Sequence, residues 1–542
     1  MRITNKIIQN NSLSNLNMNK ILEDKYNTQM ATGKKITRPS EDPVIAIRAL
    51  RLRSTLADVT QFRDKNAEDA DSWLTVTEDT INSVIESLEK MIEECNTGAN
   101  KKWESIDKQT MIDSLKELRE GIYASGDADY AGRNIFTGYR TSTKLRFQED
   151  DNKTSYDITE KITKAVMEDI IYVKARDGAD TLDSLNAGNY DTTVFDETDV
   201  YQETVHRIRL SYSDLSPDTM PKVQYYGFDA TGMIVAKDLP IAVISQNGEM
   251  LYDETGAPVA PNTMEDPYLY AQGKKDAAGN DAPYAVFIPE TGELILNDKA
   301  YAEMNMTRDY ANTKDVNEGQ ISITYTKNNW KEGDLKPQHY FECTERTPDG
   351  KTIEHNKDQD VNDQIIAYDV GFNQSVRVNT LASDVFTHDI GRDVDDMISI
   401  LEQVQNMEST ISTLETIKKG LDPNTDKAKY EAAEKNLAAA NKALTFLGEK
   451  LQKTFEHGIS QMQGHHDKAK LEMTAVGTRS SKLELVKTRL DSQKSNFKDL
   501  VKDNEQVDTA EAATNLAQVK LAYDGALMAT GKITENSLLN FV

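Results

Sequence analysis

Cysteine and long apolar runs are scarce in this sequence. Only two cysteines, Cys95 and Cys343, occur among 542 residues, which excludes a fold held together by disulfides. No stretch approaches the roughly eighteen uninterrupted apolar residues that a membrane helix needs, so we expect no membrane insertion. The N-terminus lacks the continuous apolar block and the small-residue cleavage site of a secretory signal peptide. If the protein leaves the cell, we expect another export route.

Positive charge is also in short supply. The chain has 63 Lys and Arg against 90 Asp and Glu, a formal net charge of −27. Such a surface repels a phosphate backbone, so nucleic acid is excluded as a partner. Aromatic residues make up only 7% and hydrophobic residues 38% of the sequence. This composition favours a surface-rich, elongated molecule over a globule with a thick core.

Catalytic signatures are missing as well. The sequence contains no GxSxG, no phosphate-binding GKS or GKT and no CxxC pair. His457, His465 and His466 with Asp467 come nearest to a metal site, but no two of these histidines have the i, i+4 spacing of a helical zinc site. A solvated polar stretch is the better interpretation. We therefore predict that the protein is not an enzyme and holds no cofactor or metal.

Proline is nearly absent from the two ends of the chain. Ten of the thirteen prolines lie between Pro217 and Pro348, where short alternating runs and Gly-containing turns predict β-strands. Both proline-poor arms instead carry apolar residues in steps of three and four. These residues are Ile81, Val84, Leu88, Met91 and Cys95, and Met397, Ile400, Val404, Met407, Ile411 and Leu414. The stripes predict long amphipathic helices that pack against one another.

The resulting fold class is α+β and multi-domain. A long antiparallel helical bundle or coiled coil from both chain ends encloses an inserted all-β domain. Asp42 and Pro43 have the residue types of an N-cap and a first helical position, so a long helix should begin at residue 43 or 44 and run to about residue 95. The predicted domains are a terminal helical assembly domain (1–40 and 501–542), a long helical bundle (41–142 and 391–500, with an extra helical hairpin near 412–470) and a β-rich insertion (143–390).

Several segments resemble one known family. MATGKKITRPSEDPVIAIRAL, residues 30 to 50, is similar to the flagellin superfamily block in which a TGK or SGK loop precedes a PSDDP turn, with Glu41 in place of the usual Asp. Trp73-Leu74 and Thr77-Glu78 resemble the next block of the hook–filament junction (FlgL) family. The segment from Gly132 to Tyr139 resembles that family's strand entry, from which Arg133-Asn134 departs. The closing Ser-Leu-Leu signature is matched near the C-terminus.

The resemblance implies a structural subunit of the bacterial flagellum that joins hook to filament by assembling into a homo-oligomeric ring. It implies export through the flagellar type III apparatus, an extracellular location, and as partners flagellin, the other hook-associated protein FlgK and an export chaperone. The functional residues would then be apolar side chains of the terminal coiled coil. They are Ile3, Ile7, Leu13, Leu16, Ile21, Leu516, Val519, Tyr523, Leu527, Ile533, Leu538 and Leu539.

Three alternatives remain open at the level of the sequence. Each terminal apolar residue could make an intramolecular core contact instead of an intersubunit one. The chain could be flagellin itself, although flagellins lack Pro39 and Pro43 in the corresponding loop. A surface adhesin or glycan-binding role would rest on exposed aromatic residues of the β region, around Tyr325, Trp330, Tyr340 and Phe341.

Overall fold

The fold is described from a computed structural model. The described residues are 5–100, 105–175, 182–185, 190–228, 234–273, 282–306, 320–357 and 363–539. The long helices are α1 (Asn5–Thr32), α2 (Pro43–Gln61), α3 (Ala67–Asn100), α4 (Ser105–Ser125), α8 (His388–Gly420), α9 (Lys427–Glu505) and α10 (Thr509–Leu539). Three short helices are α5 (Pro267–Gln272), α6 (Asp298–Met306) and α7 (Ala382–Val385). The predicted α+β fold class is confirmed.

Sixteen strands lie in the described part of the chain. Two short pairs are β1 (Asp129–Tyr130) with β2 (Arg133–Asn134), and β15 (Ala367–Gly371) with β16 (Gln374–Arg377). The others are β3 (Ser155–Thr163), β4 (Met167–Lys174), β5 (Tyr201–Arg209), β6 (Lys222–Phe228), β7 (Ile234–Asp238), β8 (Ile241–Ile244), β9 (Met250–Tyr252), β10 (Ala285–Ile288), β11 (Glu293–Leu296), β12 (Gln320–Lys327), β13 (Glu342–Arg346) and β14 (Thr352–His355).

The chain divides into two compact units. The terminal unit comprises Met1–Asp71, Ala367–Val376 and Arg479–Val542, and the central unit comprises Ser72–Ile366 and Arg377–Thr478. The β15–β16 hairpin thus groups mainly with the chain ends. The three-part division predicted from the sequence stays a prediction.

Helices from the two arms pack together inside the central unit, as predicted. The apolar stripe of α3 is completely buried, and Cys95 at its end places Sγ 3.4 Å from Sδ of Met397 on α8. Lys108 on α4, only 2% exposed, donates to both carboxylate oxygens of Glu408 on α8 at 2.8 Å. Gly98 on α3 leaves room for the buried ring of Phe455 on α9. These contacts come from the 3.6-residue periodicity that was visible in the sequence.

The β region of the central unit contains two six-stranded sheets. Their strand orders are β4-β5-β11-β10-β8-β9 and β14-β13-β3-β12-β6-β7. Apolar side chains from both sheets share one core, in which Trp330 stacks on Phe147 with ring centroids 4.7 Å apart and donates from Nε1 to the Thr154 carbonyl. The first sheet also buries its other face, so all four residues of β8 and of β10 are buried. Continuous apolar strands of this kind are typical of sheets covered on both sides.

A buried ion network joins the first sheet to helix α8. Arg207 and Arg209 are two residues apart on β5, so their side chains point to the same face of the sheet. Arg207 donates to Asp396 at 2.6 Å and to Glu293 at 2.5 Å, and Arg209 donates to Asp396 at 2.8 Å. Burial opposes ionisation of Asp396, but the two guanidinium groups hold the pKa of this carboxyl well below its usual value. Nothing in the sequence pattern had identified this network.

The long helix predicted from residue 44 to 95 is not a continuous α-helix. Asp42 caps α2, accepting from the N–H groups of Val44 and Ile45, as predicted. A π-helical segment, Phe62–Asn66, then separates α2 from α3. Inside the terminal unit this segment contacts the β15–β16 hairpin: Asn66 donates to the Asp369 carbonyl at 2.7 Å. A π-helical turn contains one extra residue, so the side chains that follow it face a different direction around the helix axis. The local apolar pattern does not reveal this extra residue.

Candidate functional site

The two chain ends meet as an antiparallel helix pair within the terminal unit. Gly33 ends α1 with a left-handed φ of 69°, a conformation that glycine adopts at little cost. Backbone hydrogen bonds then join this loop to the start of α10: the Val507 N–H donates to Gly33 at 3.0 Å and the Lys35 N–H donates to Glu505 at 2.8 Å. Asp508 caps α10 by accepting from Ala510 at 2.9 Å. Because the end of α1 lies beside the start of α10, the packed helices run in opposite directions.

The loop before α2 is fixed by its own side chains. Glu41 accepts hydrogen bonds from the backbone N–H of Thr37 at 3.0 Å and from its hydroxyl at 2.9 Å. The Thr37 hydrogen bonds lower the pKa of the Glu41 carboxyl. Glu41, which replaces the usual Asp of the family block, therefore closes the loop through its side chain.

The predicted interface residues are incompletely buried by this helix pair. Ile7, Leu13, Ile21 and Leu527 are 48, 54, 67 and 50% exposed. Leu16, Leu516, Val519 and Tyr523 are half-buried. Ile3 lies outside the described residues, and Ile533, Leu538 and Leu539 lie in the last turns of α10, where side chains are not described. The structure brings the two predicted sets onto adjacent helices and leaves part of each in solvent.

Sequence reasoning missed further exposed apolar residues on the same helices. Leu521 and Met528 on α10 are 76 and 73% exposed, and Met18 on α1 is 59% exposed. Leu521 and Met528 are seven residues apart, which places them in a second row along α10. A helix with apolar residues on more than one face needs partners on more than one side. The seven-residue spacing of this second row was visible in the sequence, but the predicted interface residues did not include it.

Burying these exposed side chains against a partner would release a large amount of free energy. Burying a single Leu, Ile or Met side chain contributes about 1.5–3 kcal/mol. Among the described residues of α10, only Ala512 is fully buried. Exposed apolar surface of this extent is typical of a protein interface.

Charge is distributed unevenly between the units. The terminal unit has 21 Lys and Arg against 19 Asp and Glu, whereas the central unit has 42 against 71 and a net charge of −29. A nearly neutral surface allows close approach of copies, whereas a strongly acidic one repels them.

The histidines singled out in the sequence each have a different neighbour. His465 is buried and lies 2.9 Å from an oxygen of Asp393, His466 lies 3.3 Å from Glu89, and His457 lies 3.0 Å from Gln461. In the described ranges no group of three or more His, Cys, Asp and Glu is arranged to hold a metal ion. No described helix has the length and apolar character needed to cross a membrane.

The aromatic residues of the glycan-binding alternative are not a surface platform. Trp330 is 0% and Tyr325 is 3% exposed, because both lie in the core between the sheets. Tyr340 and Phe341 are half-buried and pack against the ring of His388, with centroids 4.5 and 5.3 Å away. The premise of this alternative fails for Tyr325 on β12 and for Trp330, three residues after that strand ends, because both side chains belong to the core between the sheets.

Comparison with known proteins finds one family match in the N-terminal arm and two similar curated proteins. Residues 3–141 match the family described as the bacterial flagellin N-terminal helical region. Flagellar hook-associated protein 3 of Escherichia coli K12 is 28% identical over 130 residues, which are 24% of this chain and 40% of that protein. The protein of the same name from Salmonella typhimurium is 25% identical over 142 residues, 26% of this chain and 44% of that protein. The chain thus spans less than half the length of the curated relatives it matches.

A solved structure is similar over a longer range. The putative flagellar hook-associated protein of Vibrio parahaemolyticus aligns over 86% of this chain and 100% of its own, with 12% identity and a TM-score of 0.32. The sequence matches confirm the predicted resemblance to hook-associated proteins of the flagellin superfamily.

Proposed function

We propose that this chain is a structural subunit of the bacterial flagellum that joins hook to filament. Copies assemble into a ring through the pair of terminal helices α1 and α10. The observation that carries this proposal is the apolar surface that the pair leaves in solvent, and α1 of the pair lies in the arm that matches the flagellin N-terminal region. Two helices alone bury little surface per ordered residue, so neighbouring copies would complete the core.

The same proposal includes the cellular setting. The subunit is exported through the flagellar type III apparatus, with the help of an export chaperone, and acts outside the cell. Its neighbours in the flagellum are flagellin and the other hook-associated protein, FlgK. The proposed role is structural and needs no catalytic residue, metal or cofactor.

Paired substitutions on adjacent residues test the role of the helix pair. Ile21→Ser with Leu521→Ser removes two side chains that are 67 and 76% exposed. Lys20→Ser with Lys520→Ser changes the adjacent exposed residues and is the matched control. Because neither pair removes a buried contact, both monomers should melt like the wild type. In the source bacterium, only the apolar double variant should fail to reach the hook tip and to support filament growth.

Immunogold electron microscopy of intact flagella locates the subunit. Label restricted to the hook–filament boundary supports the junction role. Label along the whole filament would instead identify a filament subunit. Normal filament growth with Ile21→Ser and Leu521→Ser would refute assembly through this surface.

A further inference from the structure

The terminal unit has a second uncovered surface, which α1 and α10 do not form. The β15–β16 hairpin lies against α9, where Lys482 donates to the Ser375 carbonyl at 3.4 Å and Arg489 donates to the side chain of Gln374. Asn373 in the hairpin turn has a φ of 56°, a left-handed conformation that asparagine tolerates. The turn holds the ring of Phe372 63% exposed.

A groove of about 480 Å³ lies between hairpin and helix. Its apolar lining includes the buried side chains of Val370, Val376 and Val486. Leu485 also lines it and is 74% exposed. An apolar centre with an exposed leucine is the usual form of an interface anchor. We call this surface the hairpin groove.

The charged residues of the hairpin groove are basic. Lys482 and Arg489 lie seven residues apart on α9, about 10.5 Å along the helix axis. Their hydrogen bonds go to uncharged oxygens, and within the described residues neither forms an ion pair. Other cations of the same helix are paired: Lys487 lies 2.9 Å from Asp71 and Lys494 lies 2.5 Å from Asp64. The groove therefore favours an acidic partner.

The chain itself carries an acidic surface with the same spacing. On α3, Asp79, Glu86 and Glu93 are exposed and follow one another every seven residues. These three make no ion pair within the described part of the chain. The exposed face also contains Lys90 and Glu89, and Glu89 already pairs with Lys470 of α9 at 3.7 Å and lies 3.3 Å from His466. Two carboxylates of this row match the axial separation of the two groove cations.

We propose that the hairpin groove binds the acidic face of α3 from a second copy of this chain. Lys482 and Arg489 meet two successive carboxylates of the row, and Leu485 is covered between them. The contact rests on the proposed function, because it needs copies to assemble, but it uses a surface distinct from the terminal helix pair. It gives each copy a donor face and an acceptor groove, an arrangement that can build a ring.

Photo-crosslinking of the full-length protein in its assembled form tests the contact. A benzophenone amino acid replaces Leu485 in one sample and Leu500, 49% exposed on the same helix, in the control. A third sample carries the probe at Leu521 on α10. Probe 485 should crosslink to a second copy within residues 75–97, as mapped by mass spectrometry. Probe 500 should not reach that segment.

Charge exchange provides the second measurement. Lys482→Glu with Arg489→Glu in the probe-bearing copy should lower the crosslink yield about tenfold or more, since like charges would then face each other. Mixing that copy with one carrying Glu86→Lys and Glu93→Lys should restore the yield. Restoration also shows that the reversed copies remain folded.

The outcomes separate the two proposals. A crosslink from probe 521 without one from probe 485 overturns the hairpin groove contact and leaves terminal-helix assembly intact. No crosslink from either probe refutes both. Capture of a different protein by probe 485, or lost yield without rescue, overturns the assignment to a second copy.

Discussion

Replacing Gly98 by alanine should destabilise the helical bundle, although alanine is the better helix former. A Cβ atom on Gly98 would lie 2.2 Å from Cδ1 and 2.4 Å from Cε1 of Phe455. Carbon atoms at optimal separation are about 3.5–4.0 Å apart. The Phe455 ring is fully buried, so it cannot turn into solvent to relieve the overlap.

The magnitude follows from two opposing effects. Alanine gains about 1 kcal/mol over glycine inside a helix. Forcing an extra carbon into a packed core costs about 1–3 kcal/mol, and more when the neighbour is rigid. Because the overlap here is with a buried aromatic ring, we expect the upper part of that range and a net loss of about 1–2 kcal/mol.

Gly464 on α9 is the matched control. It lies inside a helix, is exposed, and a Cβ built there meets no atom within 4 Å. Gly464→Ala should therefore stabilise the protein by about 0.5–1 kcal/mol. The assay is guanidinium unfolding followed by far-ultraviolet circular dichroism, which reports on the helices.

A second substitution tests the cause. Phe455→Leu in the Gly98→Ala background replaces the ring with a smaller branched side chain, so the double variant should lose less stability than the two single losses added together. If Gly98→Ala proves as stable as the wild type, or shifts in the same direction as Gly464→Ala, α9 does not pack on α3 through this ring. The reasoning would then be refuted.

Two further predictions concern buried ionisable groups. Burial lowers the pKa of His388 to about 3, so the unfolded chain takes up a proton near pH 6.5 while the folded chain does not. The free energy of unfolding should fall as pH is lowered from about 6.5 towards 3. The variant His388→Phe, which keeps a ring against its aromatic neighbours, should lose less of this free energy than the wild type between pH 7 and 4.5 in denaturant titrations. Arg207→Met leaves Asp396 partly unpaired in the interior and should cost about 3–5 kcal/mol, whereas Arg53→Met, at an exposed pair with Glu505, should cost under about 1 kcal/mol in the same assay.

Local sequence determined the type of most elements. The steps of three and four in the arms predicted helices, and the residues of that stripe on α3, from Ile81 to Cys95, are buried. Asp42 and Pro43 predicted the start of α2, because N-caps are determined by one or two residues. Proline and turn residues predicted the β region. Each of these signals can be read from residues that are near one another in the sequence.

The sequence predicted only in part that apolar side chains of the terminal helices would be exposed. The sequence identified Ile7, Leu13 and Ile21 as apolar positions of α1, but it left open whether an internal core would cover them. Their fractional exposure depends on how much of α1 one partner helix, α10, can cover. Nearly the whole chain separates these two helices, so no local pattern contains that information.

Only the tertiary structure decided which distant residues meet. Arg207 and Asp396 lie far apart in sequence, and each alone has the appearance of an ordinary surface charge. The groove beside Leu485 exists because the β15–β16 hairpin folds back onto α9. Gly98 became a packing site only when α9 brought Phe455 against it. Amphipathic periodicity specifies that a face will be buried, whereas the identity of the covering residue depends on chain topology and on the shapes of both surfaces.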